Sequence, residues 1–423
     1  MIKALIIFAA MYVGMLAFSK LRVWFALAGA AAMVILGVLS VGDVPAAINW
    51  NVIMMIGGTM GIVTLFIETG MPARLADLLL MKTSSACTAI VALSIFSGLV
   101  SAFVDNVATV LMIAPVGLAI CKKLNLNPIP AIIAIAVSSN LQGAATLVGD
   151  TTSILLGGYA NMSFIDFIWW QGKPSIFWAV ELGAAGTVLI LLILFRKQKE
   201  PVTCEKLTPV TDKVPGIILV LVVVCLIVAS FFEIPYVDDI KNGLICMVLC
   251  IFDIIRSCIK KKSGAPFKLV CKEMDFTTLF MLIGLFVVIA GIQEAGIIDK
   301  IAEWFSGFGN GNVFLLYTVI VFGSVLLSAF IDNIPYVAAM LPVIESLSVK
   351  LGIDPIVLYF GLLSGATLGG NITPFGASAN VTAIGILRKE KYEVKNSDFF
   401  KIGIPFTLTA VAIGYLFIWF VWA

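Results

Sequence analysis

Long apolar runs alternate with short polar stretches throughout this chain, near 4–18, 22–41, 51–68, 131–157 and 175–195, then 214–232, 240–258, 275–292, 354–384 and 403–422. A helix crosses a bilayer with about 20 apolar residues, so the runs predict an all-α membrane protein of about ten transmembrane helices. Between the third and fourth run of each half the pattern changes. Two apolar segments, 86–103 with 107–121 and 312–330 with 334–349, are split in the middle by Asp-Asn instead of by a long hydrophilic loop. Non-helical backbone survives at membrane depth only where protein or a water-filled cavity satisfies it, so each pair reads as a re-entrant hairpin, 86–121 and 312–349.

The two hairpins are copies. Ser101-Ala-Phe-Val-Asp105-Asn106 returns as Ser328-Ala-Phe-Ile-Asp332-Asn333, an offset of 227 that also carries Pro115 to Pro342, Pro128 to Pro355, Gly143 to Gly370, Thr146 to Thr373 and Gly149 to Gly376. Upstream, Glu68-Thr-Gly70 matches Glu294-Ala-Gly296 at 226. A register held over this length marks an internal repeat: 1–195, a polar linker 196–213, and 214–423. Five spans per half, an odd number, turn the second repeat upside down relative to the first. With that topology 22 of the 27 Lys and Arg residues fall on one side, leaving Lys3, Lys173, Lys241, Lys300 and Lys350 on the other. The bias predicts a cytoplasmic linker, with both termini outside a cell membrane crossed many times.

Each hairpin is followed by a polar, glycine-rich stretch inside an apolar run. Ser138-Ser-Asn140-Leu-Gln142-Gly143-Ala-Ala-Thr146-Leu-Val-Gly149-Asp150-Thr-Thr-Ser153 corresponds to Thr367-Leu-Gly-Gly370-Asn371-Ile-Thr373-Pro374-Phe-Gly376-Ala-Ser378-Ala-Asn380. Glycine costs a helix about 1 kcal/mol relative to alanine and proline about 3, so helices over 131–157 and 354–384 are expected to be broken there. Broken helices expose carbonyls to cations and amides to anions. An ionised carboxylate in hydrocarbon is costly, and two at matched places point to handling of an ion or a proton. Ser101 and Ser328 precede their aspartates by one turn, so Ser101, Asp105, Asn106 and Ser328, Asp332, Asn333 form two candidate oxygen sets for Na⁺. The remaining candidates are Asn140, Gly143, Thr146, Gly149, Asp150, Gly370, Asn371, Thr373, Gly376 and Ser378. Asp150 has no carboxylate mate, since Ala377 stands in its place.

Composition agrees. The chain is 61% hydrophobic and only 12% charged, with mean hydropathy +1.10, against roughly 25% charged in soluble domains. A net charge of +2 leaves no footprint for nucleic acid. Histidine is absent, so zinc motifs and imidazole relays are excluded and proton chemistry falls to carboxylates. The eight cysteines, at 87, 121, 204, 225, 246, 250, 258 and 271, form no C-x-x-C pair and read as packing residues of a reduced protein. The first apolar run reads as a retained helix, not a cleaved signal. Trp169, Trp170, Trp178 and Trp422 read as interfacial anchors, and Glu68 and Glu294 as interfacial or structural.

Plainer readings compete. Asp-Asn at a helix start is an ordinary N-cap, and glycine-rich membrane helices also serve close packing. An intramembrane aspartyl protease needs two membrane aspartates, but neither Phe103-Val-Asp105 nor Phe330-Ile-Asp332 has its Gly-x-Gly-Asp setting. A passive channel can also be built from inverted repeats, although a carrier alone saturates and moves solute uphill.

The hairpin tips and the Gly-Gly-Asn-x-Thr-Pro-x-Gly stretch at 369–376 resemble the ion transporter superfamily, which groups arsenite permeases, NhaD-type antiporters, the P-protein, silicon effluxers, and citrate and dicarboxylate carriers. The resemblance covers nearly the full chain. It implies a secondary transporter, not an enzyme, without resident cofactor, coupled to H⁺ or Na⁺, and a homodimer whose hairpin-bearing bundles move as an elevator. Dicarboxylate carriers read Ser-Asn-Thr at the tip, where this chain has Asp105-Asn106-Val107 and Asp332-Asn333-Ile334. Added charge and a lost hydroxyl disfavour a dianion. The Asp-Asn form implies arsenite-like efflux or Na⁺/H⁺ antiport of a small inorganic ion or oxyanion, with citrate or dicarboxylate symport as the alternative. On that reading both Asp105 and Asp332 bind and release the coupling ion.

Overall fold

The computed structural model describes residues 1–18, 21–202, 207–232, 237–309 and 312–423. Helices dominate it, and a two-stranded hairpin pairs Trp169 with Pro174 and Trp170 with Lys173. Seven helices among the described residues are long and apolar enough to cross a membrane, joined by shorter apolar helices such as Ile2–Ala17, Ala86–Ser101 and Val313–Ser328. Exposed Ile217, Val220, Val224, Phe252 and Ile259 give the outer helices a lipid-compatible face.

The break at each Asp-Asn is where helices stop and restart. Ala86–Ser101 ends and Asn106–Lys123 begins with Asp105 as N-cap; Val313–Ser328 ends and Asn333–Leu351 begins with Asp332 as N-cap. The second arms have 18 and 19 residues, about 27 Å at 1.5 Å per residue. Length alone would therefore let an arm span. Its tip, however, joins the middle of the molecule, as the hydrogen bonds below show.

The expected helix over 131–157 is two helices, Ile129–Gln142 and Thr151–Tyr159, and 354–384 divides into Ile356–Gly369, a turn at Gly370–Ile372, and Ser378–Lys389. Every residue from Ala131 to Gly157 and from Ile356 to Asn371 is buried. The broken helices are thus the centre of the fold. The hairpins pack on them, and each half reaches across: Ser378–Lys389 packs on Asn106–Lys123, and Thr151–Tyr159 on Asn333–Leu351. The helices Arg22–Ile35, Trp50–Glu68, Lys241–Lys261 and Phe276–Glu294 form a second group, paired by close contacts of Gly58 on Cys246 and Gly284 on Ala26.

Several features differ from the sequence expectation. The run 22–41 is helical only to Ile35. Two short helices, Met71–Leu80 and Ile297–Gly309, precede the hairpins. Gly70 and Gly296, matched in the repeat, turn into them at φ +74° and +70°, a conformation glycine takes without a Cβ penalty. The basic segment beyond Lys262 is a helix, Ala265–Glu273. The described parts of the linker, 196–202 and 207–213, are strapped to the molecule by hydrogen bonds and an ion pair. Ala86 N–H donates to Glu200 O at 2.8 Å and Cys87 N–H to Gln198 O at 3.0 Å; Thr208 N–H donates to Asp77 Oδ2 at 2.7 Å, and Asp212 pairs with Arg256 at 2.6 Å. Lys20, Cys204 and Lys206 lie outside the described residues, and the other seven cysteines are free thiols. Three of the anchor tryptophans lie around the short β-hairpin: the Trp169 and Trp178 rings are 6.2 Å apart, and Lys173 stands 5.2 Å over Trp422, whose ring N–H donates to Pro174 O.

Candidate functional site

The repeat extends to individual hydrogen bonds. Thr146 Oγ1 donates to Ala102 O, and Thr373 Oγ1 donates to Ala329 O. Ser153 Oγ donates to Gly143 O at 2.9 Å, and 227 residues on Asn380 Nδ2 donates to Gly370 O at 3.0 Å. A Cβ at Gly149 would stand 2.7 Å from Gly143 O, and one at Gly376 2.7 Å from Gly370 O and 2.8 Å from Ser328 O. Only glycine lets backbone approach this closely, which explains the matched Gly143/Gly149 and Gly370/Gly376 pairs. These residues build the break and clamp the hairpin tip to it.

A knot of asparagines joins the halves. Asn106 Nδ2 donates to Asn140 Oδ1 at 2.9 Å, while Asn140 Nδ2 donates to Asn371 Oδ1 at 2.8 Å and to Asn380 Oδ1 at 3.0 Å. Asn371 Nδ2 donates to Val137 O at 3.0 Å. All four side chains are buried. Buried amides this well satisfied hold a single arrangement. Asn380, which the sequence reading put at the end of the second polar stretch without singling it out as a ligand, is a hub of the network.

Ser101 and Ser328 depart from the expected ligand role. Both are fully buried and line none of the cavities below. Ser139 Oγ lies 3.0 Å from Ser101 Oγ, and Ser328 Oγ donates to Ala366 O at 2.5 Å. Their hydroxyls tie the hairpin to the broken helix.

The aspartates share one function and differ in another. Asp105 Oδ1 accepts from Val107 N–H at 3.0 Å and Ala108 N–H at 3.1 Å; Asp332 Oδ1 accepts from Ile334 N–H at 3.1 Å. Capping is therefore real, and it uses one oxygen of each. The Oδ2 of Asp332 is paired with Arg22. Among the described residues no Lys or Arg pairs with Asp105.

Asp105 opens instead on a cavity of about 400 Å³ lined also by Asn106, Asp150, Thr151, Thr278, Asn333 and Ser378, with Glu68, Glu273 and Asp275. Its lining holds five carboxylates and neither Lys nor Arg; Glu68 is paired at 2.6 Å with Lys261. A recess of about 20 Å³ beside it brings together Asp105, Asp150, Thr151 and Thr59, about the room one water needs. Asp150 caps Thr151–Tyr159 through Thr151 N–H at 2.8 Å and accepts from Thr152 Oγ1 at 3.1 Å. Asp332 faces a separate cavity of about 560 Å³ that includes Tyr12, Arg22, Phe375 and Ser378.

Hairpins meeting broken helices over a polar cavity within a lipid-compatible helical shell define a multi-pass membrane transporter. The family profile described as CitMHS, citrate transporter, matches residues 4–347 and 243–423, and the chain belongs to that family of secondary transporters. A transporter of Mycobacterium tuberculosis is 29% identical over 427 residues, covering 99% of this chain and 98% of the relative. The human P protein is 25% identical over 469 residues, and its alignment covers 92% of this chain and 55% of the P protein. The fold is similar to that of the Alcanivorax borkumensis YdaH transporter, with TM-score 0.64 at 15% identity over 89% of this chain and 86% of that one.

Proposed function

We propose that the protein couples the movement of a small inorganic ion or oxyanion to H⁺ or Na⁺, as arsenite-like efflux or Na⁺/H⁺ antiport. The observation that carries the reading is the charge of the first cavity: among the described residues Asp105, Asp150 and Asp275 face it without a basic partner, beside Glu68 and Glu273, which pair with Lys261 and Lys272, and no basic side chain lines it. Two unit charges 4 Å apart interact by about 4 kcal/mol at an effective dielectric near 20. Such a lining attracts a cation, admits an uncharged hydroxide and repels a citrate trianion. Asp105 Oδ2, Asp150 and the hydroxyls of Thr59 and Thr151 offer hard oxygens to H⁺ or Na⁺. Competition between cation and solute for that recess yields antiport.

The cavity lies beside Glu68, Glu273 and Asp275, at helix ends that the lysine distribution assigns to the cytoplasm of a cell-membrane protein. The two helix groups supply the parts of an elevator: hairpins and broken helices as the moving body, the group around Trp50–Glu68 and Phe276–Glu294 as scaffold, working as a homodimer. The family's description favours a second reading, organic-anion symport.

Proteoliposomes with imposed pH and Na⁺ gradients decide between them, with arsenite, Na⁺, silicate, citrate and succinate as solutes. Saturable uphill flux of an inorganic solute is the expected result. Gradient-driven citrate or succinate uptake, with no inorganic flux, would replace the first reading by the second.

A further inference from the structure

The repeat gives the two hairpin aspartates the same place as N-caps that use Oδ1, so the difference at their second oxygens needs a cause. That cause is Arg22, the first residue of Arg22–Ile35. Its Nη1 donates to Asp332 Oδ2, with both side chains 24% exposed. Tyr12, on the preceding helix, donates through its hydroxyl to Pro335 O and holds the same hairpin close. Repeat-matched contacts identify the counterpart of Arg22. Gly58 lies on Cys246 and Gly284 on Ala26, so Arg22, four residues before Ala26, corresponds to Asn242. That register counterpart is neutral and lines neither cavity at Asp105, so among the described residues no cation at Asp105 matches the guanidinium at Asp332.

We propose that Arg22 is a built-in cation for the second hairpin. Its guanidinium takes the place at Asp332 that the coupling ion takes at Asp105, so the carrier binds one coupling cation per cycle although its repeat has two matched aspartates. This rests on the cation-coupled reading above. The chemistry fits: an arginine keeps its charge at any working pH, and its Nη1 holds Asp332 Oδ2 while Oδ1 caps the helix, so both oxygens are engaged and no exchangeable ion competes well for Asp332. Arg22 is a specificity-determining residue that sets ion number, and it makes no demand on the solute.

The test is a charge-pair cycle in reconstituted full-length protein: Arg22→Gln, Asp332→Asn, and both together. Each single change leaves a half-buried charge uncompensated and is expected to cut cation-driven flux at least about tenfold and to lower the melting temperature of the purified protein. The double change removes both charges, and is expected to return flux to within about twofold of the parent and to restore melting. Flux against cation concentration should give a Hill coefficient of about 1 in the parent and in the double variant. A parent with cation-driven flux whose double variant stays as inactive as Asp332→Asn overturns this proposal alone, since Asp332 would then itself carry the ion. A parent with no cation-driven flux removes the cation-coupled reading and this proposal with it.

Discussion

The first hairpin with its broken helix and the second with its own are built alike and charged differently. Both end a helix at Ser-Ala-Phe-x, restart it on an aspartate, and clamp the tip through a threonine hydroxyl on an alanine carbonyl. In the first half the aspartate shares an acidic cavity with Asp150. In the second the carboxylate is answered by Arg22, and Ala377 replaces the second acid. Duplication fixed the backbone device, whereas charge handling diverged. Backbone geometry here is demanding because carbonyls touch at van der Waals distance, while a side chain pointing into a cavity is free to change.

The largest effect should come from making the first half neutral. Asp105→Asn keeps the cap, because an amide oxygen still accepts from Val107 and Ala108, but removes the charge that holds the cation. Leaving a desolvated ion without its partner costs about 3–5 kcal/mol, so cation-driven flux in proteoliposomes should fall about 1000-fold with membrane insertion and melting nearly unchanged. Flux near the parental rate would erase the contrast between the two aspartates.

That contrast was only half legible in the chain. The repeat, the hairpin breaks and the two broken helices follow from spacing alone, because a register of 227 preserved through Pro, Gly and Thr reports a backbone that cannot vary. Arg22 was visible only as one of the 22 basic residues on one side, at the start of the run 22–41, since hydropathy describes a residue's surroundings and says nothing about a partner 310 positions away. The short helices Met71–Leu80 and Ile297–Gly309 fell below the length of a span, and the linker residues around Thr208 show no periodicity because side chains such as Asp77 hold them. Ser101 and Ser328 were expected one turn before their aspartates on a shared helix face, but each is the last residue of one helix while its aspartate caps the next, a break that hydropathy spacing does not reveal.

A second break in the comparison targets the knot between halves. Asn140→Ala takes the acceptor from Asn106 and the donor from Asn371 and Asn380, leaving buried amide groups unpaired at about 1–3 kcal/mol each. Its register mate Thr367 meets only Thr152, at 3.2 Å, so Thr367→Ala should cost about 1 kcal/mol. Melts of the purified variants measure the difference; equal shifts would mean the network is not centred on Asn140.

Glycine substitutions test whether the backbones are as alike as they look. The Cβ of Gly376→Ala meets carbonyls at 2.7, 2.8 and 2.9 Å, and that of Gly149→Ala meets them at 2.7, 3.1 and 3.1 Å. Backbone oxygens cannot rotate aside, so overpacking should destabilise by about 1–3 kcal/mol, with the second half at the upper end. Proteolysis of the folded protein would report the loosened tip, and a stable Gly376→Ala would contradict the close approach.

The smallest effect sharpens what the serines do. If Ser101 and Ser328 ligated the coupling ion, their alanine variants would weaken cation dependence. In the structure their hydroxyls meet Ser139 and Ala366 O, away from the cavities, so each should cost only the roughly 1 kcal/mol of a buried hydrogen bond. The two are not expected to be equal. Ser139 still reaches Asn106 O at 3.1 Å when Ser101 is gone, whereas Ala366 O loses the hydroxyl that Ser328 donates. Ser328→Ala should therefore lower melting more than Ser101→Ala, while the cation concentration for half-maximal flux stays within about twofold in both. A shift of that concentration beyond about tenfold in Ser101→Ala, with melting intact, would return the serine to the ion's coordination shell and move the site from Asp105 toward the end of Ala86–Ser101.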